Sequence, residues 1–213
     1  MTLKRRVVYG GLWGDEVLGV EAPKRETAVV ASDFESCKPI IVKNHYLHKA
    51  PAIQPTINLL VYYKSEVHGA LMLGYGQSYK ITEEENIIAF DRMWLSDVMP
   101  KFSETCVLGL LHTYLRAAHP EITHIVTHAD TGVGNSGTIY RAANYEYKGD
   151  HPSPYWFLPD GRKIHNRTLY GWHGRPGNNQ KWLESRYPGI KRQRTPMRKY
   201  IYELGRRKKS LID

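Results

Sequence analysis

Cysteine is nearly absent: Cys37 and Cys106 are the only two in 213 residues. Neither sits in a paired metal-ligand spacing, and two thiols cannot frame a disulfide scaffold in a chain of this size. A reducing cytoplasm is therefore expected. No apolar run approaches the roughly 20 residues needed to cross a bilayer, and the opening Met1-Thr2-Leu3-Lys4-Arg5-Arg6 leads into no signal-peptide core; this predicts a soluble protein with no membrane partner. No internal repeat is visible, which excludes solenoid architectures. With 41% apolar residues the chain can bury one core but is short for two, so a single domain is expected. Within it we distinguish an N-terminal strand and loop region (1–42), a central core (43–160) and a C-terminal extension (161–213).

Acidic residues are scarce in one region only. From Arg162 to Asp213 there are fifteen Lys and Arg against three Asp and Glu, a net +12, whereas residues 1–161 carry fifteen against eighteen, a net −3. The basic excess thus belongs to the last quarter of the chain, which points to a polyanion partner. A disordered basic tail is the alternative reading. Against it, Trp172, Trp182, Tyr187, Tyr200, Ile201 and Tyr202 lie among the charges and favour folded structure.

Residues 1–40 are weakly patterned, with a strand expected near Thr27-Ala28-Val29-Val30 and a turn at Ser32-Asp33. Two β-rich runs, 57–63 and 69–75, flank the polar Lys64-Ser65-Glu66 and predict a hairpin. The near-continuous apolar start of 87–94 predicts a buried central strand. Pro100 breaks the chain, Ser103 offers an N-cap, and Val107, Leu108, Leu110, Leu111, Tyr114, Leu115 and Ala118 recur at helical spacing until Pro120. A strand over 123–128 ends at Ala129-Asp130. A loop with three glycines (131–137) then opens a short helix, 138–144, and 145–149 alternates as a strand. Pro159-Asp160-Gly161 is a turn between 155–158 and 163–169 and predicts a second hairpin. A helix over 180–187 and a last strand over 199–204 complete the reading.

Strands alternating with helices predict a mixed α/β sheet. The order hairpin, strand, helix, strand, short helix, strand resembles the GNAT superfamily core, with helices flanking a mixed central sheet; a basic C-terminal hairpin and strand extend it here. The run Gly137-Thr138-Ile139-Tyr140-Arg141-Ala142-Ala143-Asn144-Tyr145 is the nearest local match. The GNAT acetyl-CoA signature is a glycine-rich loop after the central strand. The loop here, Leu95 to Ser103, contains no glycine, which makes close approach of the backbone to a pyrophosphate harder.

Three segments together resemble the Mom family of phage adenine-modification proteins. They are Asn44-His45-Tyr46-Leu47-His48-Lys49-Ala50-Pro51, Phe90-Asp91-Arg92-Met93-Trp94, and Thr127-His128-Ala129-Asp130 leading through Gly137 to Gly149. Lys199-Tyr200-Ile201-Tyr202 is similar to the family's closing basic-aromatic strand, so the resemblance runs from about Lys43 to the C-terminus. It implies transfer of a carbamoylmethyl-type group onto the exocyclic amine of adenine in phage DNA, within the host cytoplasm, shielding that DNA from restriction.

An adenine amine is conjugated into its ring and must be positioned and deprotonated before it reacts. Asp130, Tyr140, His45, Tyr46 and His48 are the candidate bases and proton donors, with Asp130 the first choice. Each has a structural alternative: Asp130 as a cap, Tyr140 as packing, and His45 and His48 as polar loop residues or, less in keeping with their spacing, ligands to iron or zinc. Arg92 is read either as an ion-pair partner or as a holder of an anionic donor, and Asn144 either as a C-cap or as a hydrogen-bonding group to the substrate base. Ser103 and Trp94 join them as donor- or substrate-binding candidates.

Reaching that amine in double-stranded DNA requires flipping the base out and holding it between apolar or aromatic faces, for which one of Trp94, Tyr145, Tyr147 and Trp156 is the candidate. Arg162, Lys163, Arg167, Arg192, Arg194, Arg198, Arg206, Arg207 and Lys208 are placed to meet phosphates, or else form a solvated basic face. The product implied by the resemblance holds two carbons and an extra nitrogen, which favours an activated glycine such as glycyl-tRNA as donor over acetyl-CoA. The alternatives are a GNAT-like acyltransferase acting on a protein or small-molecule amine, and an inert DNA-binding module.

Overall fold

In the computed structural model, residues 5–10, 16–51, 53–75, 86–165 and 180–205 are described. The chain divides into two compact units, the first comprising 1–127, 139–146 and 200–213 and the second 128–138 and 147–199.

The first unit opens with β1 (Arg6–Gly10), β2 (Glu16–Ala22) and β3 (Thr27–Ser32), followed by helix α1 (Phe34–Asn44). β4 (Ile57–Tyr63) and β5 (Glu66–Gly74) form the expected hairpin, turned by Lys64 and Ser65, both at positive φ. β6 (Ile87–Leu95), α2 (Ser103–Ala118) and β7 (His124–Asp130) follow. β1 to β6 pair antiparallel in sequence order, and β6 then pairs with β7 in parallel. That parallel pairing covers only Ile87, Ile88 and Ala89 against His124, Ile125 and Val126, although β6 runs six residues further.

The sheet is covered on both faces where β5 crosses it. Ala70 and Met72 pack against Cys37 and Ile41 of α1, while Leu71 and Leu73, pointing the other way, are equally inaccessible. α2 lies against β1, β2 and β3, and its Val107, Leu108, Leu110, Leu111 and Leu115 are fully buried. Each such side chain contributes about 1.5–3 kcal/mol of burial free energy.

Helix α1 forms where the sequence is only weakly patterned, just after the turn expected at Ser32-Asp33. Pro39 lies inside it and withholds one backbone donor, but Asp33 caps the start by accepting the Ser36 N–H at 2.7 Å, and burial of Cys37 and Ile41 against the sheet outweighs the loss. Ser103 is corrected as well: the N-cap of α2 is Phe102, at φ 67, and Ser103 is the first helical residue, its hydroxyl donating to the Pro100 carbonyl at 2.6 Å.

Asp130 ends β7, and a 3-10 turn (Thr131–Val133) follows. α3 (Thr138–Ala142) leads into β8 (Glu146–Phe157), one strand of twelve residues where the sequence suggests two short ones. Within the second unit β8 pairs antiparallel with β9 (Lys163–His165) across the Pro159-Asp160-Gly161 turn, with Gly161 at φ 85. α4 (Gln180–Arg186) contributes Leu183, which packs on Trp156 to form this unit's core. β10 (Lys191–Glu203) is far longer than the 199–204 strand expected. In sheet order it follows β7, with β8 and β9 beyond. Among the described residues no helix is long and apolar enough to cross a membrane.

Candidate active site

In the second unit, Asp130 is 2% exposed, and each of its carboxylate oxygens has a partner. Oδ1 accepts the Gly132 N–H at 2.9 Å, capping the 3-10 turn, and Oδ2 accepts the hydroxyl of Tyr155 from β8. Asp130 thus caps the turn through one oxygen and is held by Tyr155 through the other. Gly132 permits the close approach: a Cβ there would meet the Tyr155 ring, Thr195 Oγ1 and Asp130 Oδ1 at 2.5 to 2.9 Å. The Lys163 ammonium donates to the Gly132 carbonyl and lies 4.1 Å from the centre of the Tyr155 ring. Thr131 Oγ1 donates to the Pro196 carbonyl at 2.5 Å, tying the turn to β10. Tyr155 is the residue that sequence reasoning missed, since nothing near it separates it from the other tyrosines among fifteen.

In the first unit, Tyr140 on α3 is buried and takes part in a hydrogen bond with Thr127. Its ring lies 5.6 Å from both Tyr145 and Tyr200. Burial is the main cause that lifts its hydroxyl above the usual phenol range. Tyr145 is held higher still by burial, and its hydroxyl pairs with His112 Nε2 at 3.0 Å. The His112 ring stacks on Tyr202 at 3.7 Å. Asn144 adopts φ 65, the left-handed conformation of a helix end.

His45, Tyr46 and His48 follow α1. His45 is buried, its Nδ1 accepts the Leu47 N–H at 3.2 Å, and its pKa is lowered to about 4, first by burial and then by the positive charges of Arg92 and His48. Tyr46 stands exposed with its ring 4.3 Å from that of His45. His48 Nδ1 is 3.2 Å from the Val42 carbonyl. Arg92 Nη1 donates to the Asp91 carbonyl at 2.7 Å, and Trp94, on the same face of β6, packs against the Cys37 and Met72 cluster. Among the described residues no group of three or more His, Cys, Asp or Glu is arranged to hold a metal.

The loop before α2 and the first residue of that helix engage three backbone amides internally. The Met99 and Ser103 N–H groups are spent on the Ser96 and Pro100 carbonyls at 3.0 and 3.1 Å, and Val98 N–H on Ser96 Oγ at 3.4 Å. Phe102 takes the positive φ that a glycine would take freely, and Glu104 places a carboxylate in the first helical turn, where it opposes a bound anion.

Of the expected phosphate-binding residues, Arg162 is held by Asp160 at 2.7 Å and lies 5.7 Å from the Tyr187 ring, and Lys163 turns to Gly132 and Tyr155. Arg192 lies over Trp156 at 5.5 Å, Arg194 is exposed, and Arg198 donates to the Ser136 carbonyl at 3.0 Å. Arg167, Arg206, Arg207 and Lys208 lie outside the described residues. Among the candidate stacking aromatics, Tyr145 and Trp156 are core residues, Trp94 is half-buried, and Tyr147 is 48% exposed, donating to Asp150 at 2.8 Å.

Three comparisons place this chain. The structure superposes on yncA of Salmonella typhimurium, assigned as an acetyltransferase and solved with its cofactor acetyl-CoA, with a TM-score of 0.51 at 10% identity, covering 86% of this chain and 96% of that one. An N-acetyltransferase from Staphylococcus aureus Mu50 matches with a TM-score of 0.47 at 10% identity, over 84% of this chain and 99% of that one. The likeness to yncA shows a GNAT-like fold. In sequence, the chain is 29% identical over 135 residues to methylcarbamoylase mom of Escherichia phage Mu, covering 60% of this chain and 52% of the relative, so the match spans about half that protein's length. The model of the Mom protein family matches residues 26–213, and the chain belongs to that family.

Proposed function

We propose that this protein is a transferase that modifies the exocyclic amine of adenine in DNA, adding a carbamoylmethyl-type group that protects phage DNA from restriction in the host cytoplasm. The observation that carries the reading is the buried Asp130 carboxylate accepting the Tyr155 hydroxyl, beside Lys163, in a unit whose strand β10 carries Arg192 and Arg194. Membership of the Mom family supports the choice of substrate.

The residues present suit removal of a proton from a weak nitrogen nucleophile. As the adenine nitrogen bonds to the donor's acyl carbon and the leaving group departs, the amine proton passes to the Tyr155 oxygen while Tyr155 releases its own to Asp130. The Lys163 charge over the ring stabilises negative charge on Tyr155 during the exchange. The proton on Asp130 is then returned to the leaving group, which leaves an N-glycyl adduct; its free amine attacks the ring carbon and displaces the amide nitrogen, so that the group ends as a carbamoylmethylamine. A buried carboxylate with a fixed partner performs the proton exchange with little reorganisation.

For the donor, an activated glycine such as glycyl-tRNA supplies both carbons and the nitrogen. Acetyl-CoA is the ligand of yncA, but the loop of 95–103 here holds no glycine, and the Val98, Met99 and Ser103 amides are already engaged within the chain. Precedent among the comparisons lies with acetyl-CoA and not with tRNA. An acyltransferase working on another amine therefore stands as the second reading, favoured by the fold likeness and disfavoured by that loop.

The test feeds labelled glycine or labelled acetate to bacteria expressing the chain, then analyses deoxyadenosine from their DNA by mass spectrometry. An added group on deoxyadenosine that itself carries glycine carbon and nitrogen, resolved by fragmentation from label in the purine ring, supports the whole reading. Label from acetate alone reassigns the donor, and unmodified deoxyadenosine with folded protein present rejects the function.

A further inference from the structure

One face of α2, in the first unit, presents Thr105, Gly109, His112 and Arg116 at helical spacing to a cavity of about 250 Å³. Asn144 after α3, Tyr202 of β10 and Arg5 ahead of β1 contribute to its lining, and among the described residues no aspartate or glutamate does. Arg116 is fixed by neutral partners: Nε donates to the Leu204 carbonyl at 2.8 Å and Nη2 to the Tyr202 hydroxyl at 3.1 Å. Among the described residues no ion pair involves Arg5 or Arg116. Two guanidinium charges thus share a cavity to which no described carboxylate contributes.

Gly109 makes the arrangement sterically feasible. The Arg5 guanidinium rests against it, and the three atoms nearest a Cβ at that position would all belong to that guanidinium, within 3.5 Å. Glycine in a helix interior costs stability relative to alanine, and here it leaves the space that Arg5 fills. His112 reports the resulting field: its charged form is disfavoured first by burial and then by Arg116 and Arg5.

We propose that this cavity binds a single phosphate group, gripped by Arg5 and Arg116 with the Thr105 hydroxyl and the Asn144 amide as neutral donors. Guanidinium groups pair with phosphate through parallel N–H donors, and two of them suit a tetrahedral anion that presents oxygens in several directions. The cavity of about 250 Å³ has ample room for a phosphate group. The site uses neither Asp130 nor Arg192 and Arg194, so it stands independently of the adenine-modification reading.

The test titrates the full chain with inorganic phosphate and follows the amide resonances of Gly109 and Asn144 by NMR. Saturable shifts are expected. Arg5→Gln and Gly109→Ala should each weaken binding by about tenfold or more, in line with the loss of a charge-assisted hydrogen bond, while Arg194→Gln leaves it unchanged. Gly109→Ala favours the helix and so preserves the fold while displacing Arg5. In competition arms, displacement of phosphate by a short duplex oligonucleotide assigns the site to a nucleic-acid backbone, and displacement by adenosine monophosphate alone assigns it to a free phosphate monoester. Absence of shifts at Gly109 and Asn144, or equal affinity in Arg5→Gln and Gly109→Ala, overturns the proposal.

Discussion

The Tyr155 hydroxyl donates to Oδ2 of Asp130 while the Gly132 N–H, 2.9 Å away, occupies Oδ1. The two oxygens predict separable losses. Asp130→Asn keeps an oxygen for Gly132 but removes the proton acceptor, so DNA modification should fall by about 10²- to 10⁴-fold. Tyr155→Phe removes the proton carrier and leaves the carboxylate one partner fewer, at about 1–3 kcal/mol in stability as well as activity. Urea unfolding beside quantification of modified deoxyadenosine measures both.

DNA affinity should depend on salt through the exposed arginines of β10. Arg194→Gln is expected to weaken binding to all duplex sequences alike and to reduce the slope of log K against log salt concentration by about 1. Arg162→Gln should change the slope much less, because Asp160 already holds that guanidinium at 2.7 Å. Fluorescence anisotropy over a salt series distinguishes them; equal slopes for Arg194→Gln and the intact chain would remove Arg194 from the interface.

Stability should decline in mild acid. His45 and His112 have pKa values lowered to about 4 and about 3, mainly by burial, so both stay neutral in the fold while the unfolded chain takes up their protons below about pH 6.5. Their contribution is complete above that pH and is lost as pH falls towards 4, at up to about 1.4 kcal/mol per pH unit for each histidine. Urea midpoints at about pH 7.5 and 5.5 should differ, and by less in His112→Gln. Identical midpoints would contradict the burial of these imidazoles.

Much of the framework follows from local pattern. The spacing of Val107, Leu111 and Leu115 specifies α2, Pro159-Asp160-Gly161 specifies a hairpin, and Lys64-Ser65 takes the positive φ values that a tight turn requires. Where long-range burial decides, local pattern fails. Pro39 hides α1, whose stability comes from Cys37 and Ile41 against the sheet, and the charges and proline of β10 disguise a strand of thirteen residues. Asp130 can be singled out because it ends a strand before a glycine-rich loop. Tyr155 cannot, because its pairing with a residue 25 positions earlier is set by the path of β8. Trp156, proposed from sequence as a stacking surface, is fully enclosed by its own unit.

Trp156→Ala should therefore act through stability. Its side chain packs on Leu183 in the core of the second unit, and truncation should cost about 3–5 kcal/mol. Hydrogen exchange of β8 and β10 amides reads the loss; unchanged protection with weakened DNA binding would assign Trp156 to the base instead.

Whether the Asp130 and Tyr155 pair modifies adenine in DNA is decided by mass spectrometry of deoxyadenosine from DNA of bacteria expressing the intact chain, Asp130→Asn or Tyr155→Phe, each confirmed as folded. A heavier deoxyadenosine is expected with the intact chain alone; unmodified deoxyadenosine in all three removes the activity, and equal modification in all three removes the pair from it.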